Sequence, residues 1–168
     1  MKKEDIQTKI DIVLDNLEKL ATLKAKTYND FISDFRNIDS ALHRLQTSIQ
    51  ALLDIGSYII ASLGLRTPNT NAEIIEILSE AGYVSKDKIE TYIKMSQFRN
   101  RIVHLYNHID TEMLYDILTN ELGDIKELYT NLLKIIEAER IRNKTIDNCP
   151  SNLFYQKKHL TFGGIRNG

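Results

Sequence analysis

From Phe31 to Leu63 the apolar residues keep one beat: Phe31, Phe35, Ile38, Leu42, Leu45, Ile49, Leu52, Gly56, Ile59 and Leu63 follow at steps of four and three. That spacing suits the 3.6-residue turn, whereas a strand would scatter those residues over both faces. It predicts one unbroken helix of about 30 residues, roughly 45 Å at 1.5 Å per residue. A spine of that length sets the size of whatever packs around it. Ile6, Ile10, Val13, Leu17 and Leu20 repeat the step in a first amphipathic helix, and Leu118, Leu122, Ile125, Tyr129, Leu132 and Ile136 repeat it in a last one. Heptads of this kind also build coiled coils, but the intervening segments are shorter and differently spaced. The pattern therefore predicts an all-α fold, an antiparallel up-and-down bundle of about five helices.

The breaks between segments are chemical. Thr27 to Asp30 carries no strong breaker, so the sequence alone gives the spine no clear start. Gly64 to Asn71 ends it with Gly and Pro, and Thr70 with Glu73 reads as a capping box opening a short helix through Ile74, Ile75, Ile77 and Leu78. Gly82 stops that helix, and Ser85 is placed to cap the next, where Ile89, Tyr92, Ile93 and Phe98 turn inward. Asn107 to Thr111 forms a turn, with Asp110 or Thr111 capping the last helix. From Asn143 onward the helical period is lost and a basic stretch with Pro150, Phe154, Tyr155, Leu160 and Phe162 follows. The expected division is a bundle over 1–142 and a tail over 143–168, mobile or docked on a partner or on its own domain.

A chain of 168 residues with 42% apolar content suits one domain, burying on the order of 70% of its extended surface. Its formal net charge of −1 supplies no global field to attract nucleic acid, so any such contact must depend on a local patch. Cys149 is the single cysteine, which excludes an internal disulfide framework. No apolar run reaches the roughly 18 residues of a membrane span, and the N-terminus is amphipathic rather than signal-like. A cytoplasmic protein is expected.

One stretch is not explained by packing. Phe98-Arg99-Asn100-Arg101-Ile102-Val103-His104-Leu105-Tyr106 sets two guanidinium groups, an amide, an imidazole and a phenol among apolar residues. On an ideal helix Arg99 and Tyr106 lie roughly 20° apart on one stripe with Ile102 and Val103, while Arg101, His104 and His108 share a stripe on the far side. Arg99 and His104 diverge by about 140° and meet only through the long arginine stem, a distorted last turn or a second copy of the chain. Asp54 is a second anomaly, a carboxylate in the nearly all-round apolar stretch from Ile49 to Leu63. Desolvation demands a partner for it, for which Arg99 or Arg101 is the natural choice, unless it faces solvent.

The order Arg99, four residues, His104, one residue, Tyr106 resembles the signature of the HEPN superfamily. More narrowly it is similar to the HepT-type toxins encoded beside a minimal nucleotidyltransferase (MNT, MntA-type) antitoxin. The likeness extends upstream through "ALLDIGSYIIASLGLRTPNTNAEIIEILSEAGYVS" and covers roughly Met1 to Asn143. Where that family often has a His, this chain has Tyr58. The resemblance implies a homodimer, RNA as substrate, a nucleotidyltransferase as partner, and Tyr106 as the residue to which that partner attaches AMP.

The residues suit that chemistry. RNA cleavage without a metal needs a group to take the 2′-OH proton, one to protonate the leaving 5′-oxygen, and positive charge on the phosphate. Imidazole can serve either proton role, and arginine's planar fork suits a phosphorane. His104 and Arg99 are the candidate catalytic residues, with Asn100, Arg101 and Asp54 in support. No cofactor and no metal is called for. One His per chain leaves a proton role empty, which two chains about a two-fold axis would fill. The bland alternative makes Arg99 and Arg101 surface cations near a helix end and His104 a turn residue. His104 and His108, four apart, could open a metal site, but no Glu follows the first His as in zinc-protease helices. A different class of function, a non-catalytic helical module that docks a nucleotidyltransferase or nucleotides, also fits.

Overall fold

The computed structural model describes residues 3–105 and 109–147, with side chains at 5–104 and 109–142. Every regular element among the described residues is helical. α1 spans Lys3–Lys24, α2 Tyr28–Ile32, α3 Phe35–Ser62, α4 Asn71–Glu80, α5 Ile89–Leu105, α6 Thr111–Asp116 and α7 Leu122–Asp147. A 3₁₀ turn at Lys86–Lys88 precedes α5, and a π turn at Ile117–Glu121 joins α6 to α7.

The spine is there, but it starts later than its apolar beat suggests. α3 has 28 residues, about 42 Å, and α2 is a separate short helix in front of it. The Thr27 hydroxyl accepts the Asp30 amide at 3.2 Å, and Asp34 caps α3 by accepting the Arg36 amide at 3.0 Å. Asn37 turns back and donates to the carbonyls of Asp30 and Phe31 at 3.2 and 3.1 Å, satisfying groups that the end of α2 leaves open. Two caps and a back-bonding amide thus outweigh the unbroken register. Phe31 is fully buried, but Phe35, expected on the seam, is 71% exposed at the first residue of α3.

α3 packs against α1, α4, α5 and α7, and its inward residues from Ala41 to Ile60 form the centre of the core. Ile6, Ile10, Val13 and Leu20 of α1 are buried against it as their spacing predicts. Gly56 sets the approach of α4: a Cβ there would stand 2.7 Å from Cγ2 of Ile74. Ile74 is β-branched and stiff, so the two helices touch only because that carbon is missing. Thr70 caps α4 through the Glu73 amide at 3.2 Å, although the Glu73 carboxylate takes the Asn69 N–H at 2.6 Å instead of completing the box on Thr70. Gly82, at φ +81°, closes that helix, with the Tyr83 amide bonding the Leu78 carbonyl at 2.8 Å.

Ser85 stands at the N-cap ahead of α5, where its carbonyl accepts the Lys88 amide at 3.1 Å, while its hydroxyl donates to the Asp87 carboxylate instead of capping a backbone amide. Lys88 holds the start of α5 to α7, 2.8 Å from Asp124 and 3.0 Å from Glu127. Asp110 caps α6 by accepting the Glu112 amide at 2.9 Å. The Tyr115 hydroxyl donates to the Lys26 carbonyl at 2.7 Å, tying α6 to the α1–α2 turn. α7 continues to Asp147, beyond Asn143 where the period fades, and the rest of the tail lies outside the described residues. No described helix is long and apolar enough to cross a membrane.

Candidate functional site

α5 carries the motif on its last two turns, and its packing decides where each side chain goes. Tyr92, Met95, Phe98 and Ile102 are buried, which turns one face of the helix into the core. Arg99 borders that face and is half-buried, whereas Asn100, Arg101 and His104 are exposed. Val103 is 44% exposed, an apolar side chain in water beside the cations. Two arginines at one helix end supply local positive charge that a chain of net charge −1 lacks as a whole.

The Arg99 side chain bridges part of the 140° divergence. Its Nη1 donates to Oδ1 of Asn100 at 3.0 Å. Asn100 is four residues before His104, so the two are surface neighbours with Cβ atoms about 5–6 Å apart. The hydrogen bond therefore draws the guanidinium around the helix, from the stripe of Arg99 toward the stripe of His104. Nε of Arg99 is buried with no hydrogen-bond partner among the described residues, so the stem is fixed by packing and the fork by Asn100. Arg99 and Asn100 are thus joined by a hydrogen bond, and His104 stands one turn beyond Asn100 on the exposed side of α5.

Asp54 is not part of it. Its carboxylate lies 2.6 Å from Nζ of Lys9 and accepts from Nε2 of Gln50 at 2.7 Å, so its partners come from α1 and from its own helix rather than from Arg99 or Arg101. The reason is topological: α1 packs along α3 and covers the face on which Asp54 stands. Lys9 gave no signal in the sequence, where it is one more lysine on the polar side of an amphipathic helix. Tyr106 and His108 lie outside the described residues. Among the described residues no three His, Cys, Asp or Glu side chains converge as a metal site.

A cleft of about 450 Å³ lined by Tyr28, Glu112, Tyr115, Asp116 and Thr119 belongs to the segment that follows the motif. Tyr28 meets Tyr115 edge-on at 5.3 Å, and Tyr115 lies 5.5 Å from Phe31. Nothing in the sequence pattern marks this cluster as a unit. Tyr28 and Phe31, three apart, were its one local sign.

Known proteins carry the same architecture. The chain is similar to the mRNA nuclease HepT of Shewanella oneidensis, 25% identical over 132 residues that cover 73% of this chain and 96% of that one. It is also similar to the tRNA nuclease HepT of Aphanizomenon flos-aquae, 26% identical over 110 residues, 66% of this chain and 75% of the other. Among solved structures, the tri-AMPylated Shewanella oneidensis HEPN toxin in complex with MNT antitoxin superposes with a TM-score of 0.69 at 21% identity, over 82% of this chain and 99% of that chain. At that identity the superposition speaks for the fold. The ribonuclease HepT-like family matches residues 13–132, well over half of the chain and inclusive of α3, α4 and the whole motif, and the chain belongs to that family.

Proposed function

We propose that this chain is a metal-independent endoribonuclease, the toxin of a toxin–antitoxin pair, working as a homodimer whose two motif-bearing helix ends share one cleft. Family membership supports the reaction class, and the relatives named as mRNA and tRNA nucleases support RNA as substrate. The observation that carries the residue roles is the Arg99–Asn100 hydrogen bond, which turns a guanidinium toward the exposed His104. In this reading one His104 takes the proton from the 2′-OH as that oxygen attacks phosphorus. The bond to the 5′-oxygen breaks, and a second imidazole, from the other copy, protonates the leaving oxygen. Arg99 holds the charge that builds on the phosphorane oxygens, and Arg101 contacts a neighbouring phosphate. The exposed Val103 adds apolar surface that a second copy would cover.

A nucleotidyltransferase antitoxin, the partner seen with the solved HEPN toxin, would silence the site by AMPylating Tyr106. The phenol oxygen attacks the α-phosphorus of ATP and pyrophosphate leaves. Each AMP adds negative charge and bulk where RNA phosphate must bind, opposing Arg99 and Arg101. The test is expression with His104→Ala. RNA cleavage and growth arrest should be lost while the variant still binds its antitoxin, and undiminished cleavage would refute the assignment. Intact-mass measurement after co-expression with the antitoxin should show added AMP on the unmodified chain and none on Tyr106→Phe.

A further inference from the structure

The hydrogen bond that steers Arg99 also fixes the amide it uses. Arginine only donates, so the Asn100 atom 3.0 Å from Nη1 is the carbonyl oxygen Oδ1, and the –NH₂ group faces away from the fork. Turning the amide over would set donor against donor and lose the bond. Asn100 is exposed, and its Nδ2 has no hydrogen-bond partner among the described residues. The residue therefore holds a pair of N–H donors outward from this side of α5. The second nitrogen of the fork, Nη2, also makes no hydrogen bond among the described residues and is left for phosphate.

Single-stranded RNA is read through hydrogen bonds to the edges of unstacked bases. The four bases differ at one exocyclic position, where uracil and guanine carry a keto oxygen and cytosine and adenine an amino group. An amide that offers N–H groups bonds the keto oxygen and meets the amino group donor to donor. Asn100 is bonded to the guanidinium that holds the scissile phosphate, so the bases it meets are those of the two nucleotides joined there. The buried Nε of Arg99 fixes the stem, and with it the bearing of the amide on the strand.

We infer that Asn100 is a specificity-determining residue, whose outward Nδ2 donates to the keto oxygen of a guanine or uracil beside the cut and so favours these bases over adenine and cytosine. This rests on the ribonuclease reading and gives the residue a second task, distinct from orienting Arg99. Orientation acts on the chemical step. A base contact made in the bound RNA and kept in the transition state strengthens both equally, so it changes KM and leaves the rate at saturating enzyme untouched. A phosphate oxygen is the other acceptor within reach of the amide, but a contact to it carries no sequence information. Base preference separates the two.

The test is competition in a mixture of total cellular RNA and a pool of single-stranded RNAs with a randomised centre, cut by the full-length protein and sequenced at the new ends. Competing sequences sort by their kcat/KM ratios, so a uniform loss of rate cancels. At one nucleotide flanking the cut, wild-type protein should favour guanine and uracil over adenine and cytosine by about fivefold, as one hydrogen bond at a solvated surface allows. Asn100→Asp keeps an oxygen toward Arg99 but turns an acceptor outward, and should reverse the preference at that nucleotide alone. Asn100→Ala should level it, while any preference elsewhere in the strand stays as in the wild type. A wild-type preference that survives both substitutions, or equal use of the four bases by the wild type, would overturn the inference and leave the ribonuclease reading intact, the second outcome assigning Nδ2 to phosphate. A wild-type protein that leaves the whole mixture uncut would remove the ribonuclease reading itself, and the inference with it.

Discussion

If Asn100 orients Arg99, then Asn100→Ala must lower catalysis without touching the fold. The amide is exposed, so its removal leaves no cavity and no unpaired buried group. What is lost is the 3.0 Å bond from Arg99 Nη1. A hydrogen bond of this kind at a solvated surface is worth about 1 kcal/mol, so the arrangement in which the fork points toward His104 should become about fivefold rarer. If that arrangement meets the phosphorane, single-turnover cleavage of a labelled RNA at saturating enzyme should slow by about the same factor. Arg99→Ala removes the charge itself and should cost about 100-fold or more. The two losses should not add: in an Arg99→Ala background Asn100→Ala has nothing left to orient and should change the rate by less than about twofold. Unaltered helix content and melting temperature would show that the fold is intact. The reasoning is refuted if Asn100→Ala alone cuts at the wild-type rate, or if its fivefold loss persists without Arg99.

Three further outcomes follow from the same geometry. Wild-type chains unfolded and refolded with an excess of inactive His104→Ala chains should lose RNA cleavage beyond simple dilution, because a mixed dimer holds one imidazole where the reaction uses two; cleavage that falls only in proportion to dilution would argue against a shared cleft. Burial pushes the Tyr92 phenol up to about 12 from an ordinary 10.0. The unfolded chain therefore releases that proton first, so Tyr92's contribution to stability is whole below pH 10 and is lost as pH rises from about 10 to about 12. Tyr92→Phe, which also removes a buried hydroxyl without a partner, should flatten that stretch of the denaturation profile while leaving stability at pH 7 unchanged or higher. Asp54→Asn should keep the wild-type cleavage rate within about twofold and cost at most about 1 kcal/mol in urea denaturation, since its partner is a part-exposed Lys9; a large loss of cleavage would return Asp54 to the site.

Local rules reached far into this chain. The seams of α1 and α3, the Thr70 and Asp110 caps and the Gly82 stop all depend on residues within a turn or two of one another, and each formed where its chemistry placed it. The break between α2 and α3 was also local, written in Thr27, Asp34 and Asn37, but a polar cap is quieter than an apolar period and the period masked it. Asp54 shows where such reading ends. A carboxylate in an apolar stretch announces that it needs a cation, yet which cation depends on which helix lies across it, and packing awarded that place to α1 and Lys9. The group of Arg99, Asn100 and His104 divides in the same way. Residue types and spacing named its members from the chain alone, while the direction of a guanidinium, free to swing on a stem of rotatable bonds, was decided by burial of the stem against the core and by one amide on the next residue.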